Sequence, residues 1–405
     1  NSANTSAQAV AAGGSYDELH IVVVDQGGKF TGIKGTVLET FAYVSKASDA
    51  TYNGTSNYYK QVLFNQSKYV YAVDPVQYAS TNSTWGQPLS TTFAVLSSAV
   101  TVTLENGTDA APTDGNLESS YDLFANKEYI DISLILTGNA SNTVQNYVAT
   151  TIAAGRGDCI AFVSPPQNAV VNNSGNETTA ISTWLDGMGG YTSYAVADSG
   201  WKYQLDKYNS VYRWIPLNGD IAGLCVYTDT IKDPWFSPAG FSRGAIKNCI
   251  KLAWNPTKTY RDTLYAAGVN PVVTFPGQGT ILFGDKTLQS KPSAFDRINV
   301  RRLFITLEKS IAKAAQYSLF ELNDEFTRAQ FVSLVTPFLR DIQGRRGITD
   351  FKVVCDTTNN TPNVIDSNQF VGDIYIKPAR SINFIQLNFV AVGTGVDFTT
   401  VVGIV

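Results

Sequence analysis

His20 is the only histidine among the 405 residues, so any Ser–His–Asp relay here must be built around that one imidazole. It abuts Ile21-Val22-Val23-Val24, a β-branched run that reads as a core strand rather than the rim of a cleft. Cys159, Cys225, Cys249 and Cys355 are widely spaced, form no C-x-x-C pair and sit in apolar strings such as Cys159-Ile160-Ala161-Phe162. They read as buried free thiols acting as small hydrophobes, since one imidazole leaves them almost no partner for metal or nucleophile chemistry. Gly277-Gln278-Gly279 followed by Gly284-Asp285-Lys286-Thr287 has the glycines of a phosphate loop. It lacks the four-residue spacing to Gly-Lys-Ser/Thr that lets backbone amides cradle a phosphate. Arg156-Gly157-Asp158 resembles an adhesion tripeptide but leads directly into an apolar strand. Asn53, Asn82, Asn106 and Asn139 open glycosylation sequons, which matter only on a secretory route that nothing in the chain supports. Strand ends at Thr137-Gly138 and Ser164-Pro165-Pro166 would give a hydrolase few groups to work with. The expectation is a protein that is not an enzyme, with no catalytic residue, no cofactor and no metal.

Composition points to contact rather than chemistry. Charged residues make up 16% of the chain, against about 25% in ordinary domains. The surface must therefore be carried largely by Asn, Ser, Thr, Gly and Tyr, which are cheaper to desolvate than Lys and Glu. Net charge is −4 and no run of Lys or Arg occurs. A nucleic-acid partner, which needs a basic face to displace counterions, is not expected. No apolar run approaches the roughly 18 to 20 residues that span a bilayer, so membrane insertion is not expected either. The chain opens with Asn1 and its sole methionine is Met188, which implies a fragment or a processed form.

The elements that must position these residues change character along the chain. Residues 1–14 lack periodicity and read as a flexible lead. Residues 15–116 look β-rich, with strands at Ile21–Val24, Lys68–Val73 and Ala99–Leu104, and a breaker-rich stretch from Asn106 to Gly115. Residues 117–232 read as an α/β domain. A helix at Leu117–Phe124 precedes a βαβ unit: strand Ile130–Leu136, helix Thr143–Ala153 and strand Asp158–Val163. A helix at Ser182–Met188 and a strand at Tyr191–Ala197 follow. Residues 233–396 read as α+β, starting with helices at Phe241–Trp254 and Thr259–Gly268. A strand at Pro271–Phe275 leads into a turn at Gly277–Gly279. The helix Asn299–Phe320 places Val300, Leu303, Phe304, Leu307, Ile311, Ala314 and Ala315 on one face. A second helix, capped by Thr327 and carrying Pro337, ends at Gly344. Strands follow at Asp350–Asp356, Val371–Lys377 and Ser381–Val392. The fold class is thus mixed α/β and α+β: a β-rich N-terminal part, a central βαβ domain and a C-terminal α+β domain with two packed helices and a small sheet.

Several strings in that last part carry a family resemblance. Asp233-Pro234-Trp235-Phe236-Ser237-Pro238-Ala239-Gly240-Phe241-Ser242-Arg243-Gly244 is similar to a signature of contractile phage tail sheath proteins, as is Asp296-Arg297-Ile298-Asn299-Val300-Arg301-Arg302-Leu303. The likeness continues through Phe320-Glu321-Leu322-Asn323 and Val354-Cys355-Asp356-Thr357-Thr358-Asn359-Asn360-Thr361-Pro362, and closes with Ile376-Lys377-Pro378-Ala379-Arg380-Ser381-Ile382-Asn383-Phe384-Ile385. Lys202–Asn209 followed by Arg213-Trp214-Ile215-Pro216-Leu217 resembles the T4-like myovirus branch. The resemblance implies a subunit that polymerises helically around a tail tube and contracts to drive the tube through a host envelope. It implies neighbouring copies, a tail tube protein, a baseplate and a tail terminator as partners. It also implies residence in the virion after assembly in the host cytoplasm. Full-length members of that branch begin with a short arm and surface-exposed domains that precede the segment seen here, so this piece is expected not to complete a sheath alone.

Two groups of residues acquire expected roles. Residues 397–405 (Asp-Phe-Thr-Thr-Val-Val-Gly-Ile-Val) are β-prone and nearly uncharged, and they follow Gly393-Thr394-Gly395. Such a segment is hazardous unless it has a dedicated edge to pair with. It reads either as the last strand of its own domain or, given the family, as an arm donated to the next copy through Phe398, Val401, Val402 and Ile404, hinged at Gly393 and Gly395. Arg301, Arg302, Lys309 and Lys313 read either as a solvated helix face or, from the resemblance, as a basic surface facing an acidic tube. The competing overall reading is a non-polymerising virion surface or adhesion module.

Overall fold

The computed structural model describes residues 3–72, 84–96, 98–105, 107, 111–383 and 386. They fall into two compact units, Asn1–Asp109 and Ala110–Val405. The first unit opens with helix α1 (Ala7–Ala12) where a flexible lead was expected. The Ser6 hydroxyl caps its first turn, and the Asp17 carboxylate accepts from both the Ser6 amide and hydroxyl. The β-branched run lies in β1 (Glu18–Asp25), paired antiparallel with β2 (Thr36–Ser45). A two-residue ladder, β3 (Thr51–Tyr52) and β4 (Thr55–Ser56), precedes helix α2 (Tyr59–Gln66). Leu19, Phe41, Val44, Tyr59, Val62 and Leu63 form the core of this unit. Two expected strands do not form among the described residues: residues 68–72 and 99–104 join no ladder. Alternation marks a chain that could line a sheet face, but a strand exists only where a second strand takes its amides and carbonyls. Val100, Val102 and Leu104 are exposed.

The second unit begins at helix α3 (Asp114–Asp122), where Thr113 and Asn116 form a reciprocal capping box. The predicted βαβ unit follows as β5 (Leu134–Leu136), α4 (Asn142–Tyr147), a π-helical stretch Val148–Ala153, α5 (Ala154–Arg156) and β6 (Ile160–Val163). The first strand is shorter than expected because the chain before it is held by side chains: the Ile130 carbonyl accepts from Arg156 and the Ile132 carbonyl from Lys309. Then come α6 (Gln167–Val170), α7 (Glu177–Met188), β7 (Ala195–Asp198), β8 (Trp201–Asp206), β9 (Val211–Pro216) and α8 (Asn218–Ile231).

The helix expected over Phe241–Trp254 does not form. Asn248 adopts a positive φ of 51°, and a Cβ on Gly244 would lie 2.8 Å from the Gly240 backbone, so the segment crosses itself as a tight loop. Only β10 (Lys251–Leu252) is regular there. Beyond it lie α9 (Lys258–Ala266), β11 (Val269–Asn270), the hairpin β12 (Val272–Phe275) and β13 (Gly279–Leu282), α10 (Ile298–Ala315), α11 (Glu325–Gly344), β14 (Ile348–Val354), α12 (Pro362–Asp366) and β15 (Asp373–Pro378). Asp324, not Thr327, caps α11 by accepting the Thr327 amide, so Thr327 is the third helical residue.

Strands β11, β7, β6 and β5, in that order, make an all-parallel sheet. Its side chains alternate between cores on opposite faces. Val163, Ala195 and Ala197 join Ile181, Trp184 and Leu264, whereas Ile160, Phe162 and Val196 join Ile221, Cys225 and Ile298. Strands β10, β8 and β9 form a separate antiparallel sheet. In the C-terminal part, Leu303 and Leu307 of α10 meet Phe331, Val335, Leu339 and Ile342 of α11 over the β14–β15 pair. The chain is therefore mixed α/β and α+β, with a β-rich N-terminal part, a central βαβ domain and a C-terminal pair of helices on a small sheet. No helix among the described residues is long and apolar enough to cross a membrane.

Candidate assembly surfaces

The residues whose types could do chemistry are occupied by structural work. His20 Nδ1 accepts the Tyr43 amide at 3.1 Å, and its ring meets the Tyr43 ring edge-on at 4.5 Å. All four cysteines are free thiols, and Cys159, Cys225 and Cys355 are buried. Burial pushes the Cys159 and Cys225 thiols up to about 11, so neither supplies a thiolate near neutral pH. No cluster of metal-ligating side chains occurs among the described residues. The glycine-rich string is the β12–β13 turn and its sequel, where the Lys286 ammonium donates to the Tyr265 carbonyl. Arg156 is buried and forms a two-point ion pair with Asp158 at 2.8 and 2.9 Å, so the tripeptide is a structural fork.

Ser164 and Asp198 lie just past or at the ends of parallel strands β6 and β7, where α/β sheets often bind ligands. Here the Ser164 hydroxyl donates to Asp198 at 2.6 Å and accepts the Asn218 amide at 2.9 Å. Complete burial pushes the Asp198 carboxyl up to about 8, only partly opposed by the bonds from Ser164 and Gly200. It is a closed polar node rather than a cleft.

The four basic residues expected to face a tube separate in space. Arg301 and Arg302 are buried. The Arg301 guanidinium is sandwiched between the Tyr194 and Phe295 rings, at 4.1 and 4.0 Å, and donates to the Ser193 hydroxyl at 2.6 Å. Arg302 pairs with Asp229 at 2.5 Å and reaches the Cys225 carbonyl. These two positions are a correction to the sequence reading: both charges point into the chain because α10 is buried on nearly all sides through its first two turns. Sequence periodicity located the apolar stripe of the helix, but not the second layer that covers the rest. Lys309 is half-buried and donates to Asp131 and the Ile132 carbonyl, both at 2.7 Å. Lys313, one turn on, is exposed.

Phe398, Val401, Val402, Ile404, Gly393 and Gly395 lie outside the described residues. The chain ahead of them is described as far as Asn383, and it is anchored. After β15 the chain turns back: the Ser381 hydroxyl donates to Asp285 at 2.7 Å, and the Asn383 amide donates to the other Asp285 oxygen at 2.9 Å and to the Tyr265 hydroxyl at 3.0 Å. Asp285 is buried, and Arg297 stands 3.6 Å away. Residues 381–383, expected to begin a strand, are thus held by a carboxylate socket instead of a ladder. Sequence reading missed the role of Asp285, because its partners Ser381 and Asn383 lie about a hundred residues away in the chain.

The β14–β15 sheet has two strands, and no further strand pairs with it among the described residues. Each strand therefore leaves an edge able to accept a third. Trp235 anchors the neighbouring turn, buried in the same core as Leu339 and donating to the Arg345 carbonyl at 3.0 Å. Asn360 crosslinks the loop between the strands by exchanging two hydrogen bonds with the Val371 backbone, at 2.8 and 2.9 Å.

Comparison with known proteins places this architecture. Residues 110–288 match the phage tail sheath protein central domain, and residues 290–391 match the phage tail sheath C-terminal domain. The chain is 48% identical over 317 residues to a tail sheath protein of Vibrio phage KVP40, covering 73% of this chain and 47% of that protein. It is 46% identical over 321 residues to a tail sheath protein of Enterobacteria phage T4, covering 75% and 49%. It thus spans about half the length of these curated relatives. The helical sheath of the anti-feeding prophage in its contracted state superposes with a TM-score of 0.56 at 19% identity, covering 71% of this chain and 76% of that one, which shows a shared fold.

Proposed function

This chain belongs to the phage tail sheath protein family, and on that premise we propose that it is part of a structural subunit of a contractile tail sheath. Copies polymerise helically around a tail tube and shorten to drive the tube through a host envelope. The observation that carries the reading is the family match over residues 110–391 combined with a pair, β14–β15, that no third strand joins among the described residues. An edge of that kind accepts a strand from a neighbour by main-chain pairing, which holds subunits together while they rotate. The β-prone residues 397–405 have the composition of the donated strand. In this reading the arm leaves the chain past the residues held by the Asp285 socket, with Gly393 and Gly395 as its hinge.

Contraction in this reading is rigid-body movement of subunits about persistent arm contacts, with the work supplied by new contacts between copies. The buried thiols, the structural His20 and the closed Ser164–Asp198 node favour a mechanical over a catalytic role. The partners are neighbouring copies, the tube and a baseplate, with a terminator at the far end. The protein resides in the phage tail, assembled in the host cytoplasm. Lys313, the exposed member of the basic set, and Lys309 beside it remain the side chains best placed to meet an acidic tube.

Deleting residues 397–405 from the full-length protein tests the proposal. Folded monomers that no longer build helical sheaths in negative-stain images are expected. Normal sheaths from the deletion would remove the arm, and an intact protein that never forms tubes would remove the sheath reading itself.

A further inference from the structure

Two surfaces of residues 110–383 carry complementary chemistry. The first is the turn between α10 and α11. Tyr317 is 84% exposed, Leu319 64%, Phe320 102%, Leu322 76% and Phe326 76%. Single exposed apolar side chains are ordinary, but so dense a set marks a contact surface. Phe320 also has a φ of 70°, a left-handed conformation uncommon for a side chain of this bulk, so strained backbone holds its ring in water. Residues 316–326 include Glu321, Asp324 and Glu325 and no base.

The second surface surrounds the β12–β13 hairpin. The rings of Phe241, Phe275 and Phe283 meet one another at centroid distances of 5.5, 6.1 and 5.4 Å, and Phe241 and Phe283 are exposed. The Arg261 guanidinium lies 5.5 Å from the Phe275 ring and 5.7 Å from the Phe283 ring. Lys258 precedes Arg261 by one turn of α9, on the same face. Residues 241–261 contain five bases and no acid, of which Lys258 and Arg261 lie on this face of α9, and the exposed Asp262 follows directly. Aromatic rings with an arginine are the composition enriched at the centres of protein interfaces.

We propose that the α10–α11 turn of one copy docks on the Phe241–Phe275–Phe283 face of a second copy. The occupant is another copy because one chain carries both halves, apolar at their centres and opposite in charge at their rims. Among the described residues, no ion pair inside the chain engages Glu321, Glu325, Lys258 or Arg261, and Arg261 donates only to the Pro256 carbonyl, so their charges are available to a neighbour. Joining two different patches is a heterologous contact, which repeats into a ring or an open helix instead of closing as a dimer. The inference rests on the sheath reading and adds to it a contact independent of the terminal arm.

Charge exchange in the full-length protein tests it. Glu321→Lys with Glu325→Lys should lower the sedimentable, helically assembled fraction by about tenfold or more, as should Lys258→Glu with Arg261→Glu. All four changes in one chain should restore assembly, with circular dichroism verifying the fold of each variant. Lys258→Glu alone, on the surface, should give a smaller loss of the same sign. Reversed variants that assemble like the parent overturn the contact. So do losses that the combined variant fails to repair, which would point to the tube or another partner. An unmodified protein that forms no helical assemblies overturns the sheath reading and this contact with it.

Discussion

Arg301 shows why a side chain's type does not decide its role. A guanidinium is planar and weakly hydrated, so it can be buried between two rings while its donors reach fixed acceptors. A lysine at the same position would lose the stacking and the fork together. Arg301→Lys is therefore expected to cost about 2 kcal/mol or more in denaturant unfolding, whereas Lys313→Arg, on the exposed face, should cost nothing measurable. Asp198 offers a sharper test because burial favours its neutral form. Its folded pKa of about 8 lies above the ordinary value of 3.8, so the native state holds a proton that the unfolded chain releases. The stability it contributes is complete below about pH 4 and is lost as pH rises through 8. Asp198→Asn keeps an uncharged group of the same shape. The melting temperature of the variant should depend less on pH between 4 and 8 than that of the parent, and parallel profiles would refute a protonated Asp198.

Among the elements, the segment that leaves β15 is decided by a single carboxylate. Ser381 and Asn383 both donate to Asp285, and Tyr265 donates to the same group at 3.1 Å. Hydrogen bonds to a charged acceptor are worth about 1.5–3 kcal/mol each, less where water competes. In Asp285→Ala, hydrogen exchange around residues 381–383 should quicken by about tenfold or more, while exchange in β14 stays as in the parent. Unchanged exchange at 381–383 would show that the socket does not hold the root. The same elements show where sequence signals suffice. Alternation of apolar residues at helical spacing placed α10 and α11 within a few residues, because burying one stripe of each is what makes them fold. The loop at 241–250 defeated the same reasoning, since its apolar residues face a hairpin rather than a helix partner.

At the scale of the whole molecule, two family domains share one helix. Ile298 and Ile305 of α10 enter the core of the α/β sheet, and Leu303 and Leu307 enter the core formed with α11. Arg301, Arg302 and Lys309 add polar ties from α10 to Ser193, Asp229 and Asp131. Strain at either core is therefore transmitted to the other, and residues 110–383 should unfold as one cooperative body. Native-state hydrogen exchange in mild denaturant should give matching opening free energies for amides of β6 and of α11. A C-terminal pair that opens well before the sheet would show two independent bodies.

Read alone, the sequence determined the fold class, the βαβ order, the two long helices and the family, because those depend on local periodicity and on strings of adjacent residues. It also implied free thiols that act as small hydrophobes, which holds for buried Cys159, Cys225 and Cys355 but less for half-buried Cys249, and none of the four lies inside a strand as expected. It could not say that Arg301 and Arg302 face inward, that Asp285 grips Ser381 and Asn383, or that the alternating string at 99–104 joins no strand among the described residues. Those outcomes depend on groups distant in the chain, and a charge is buried or a strand paired only when folding brings the second partner to it.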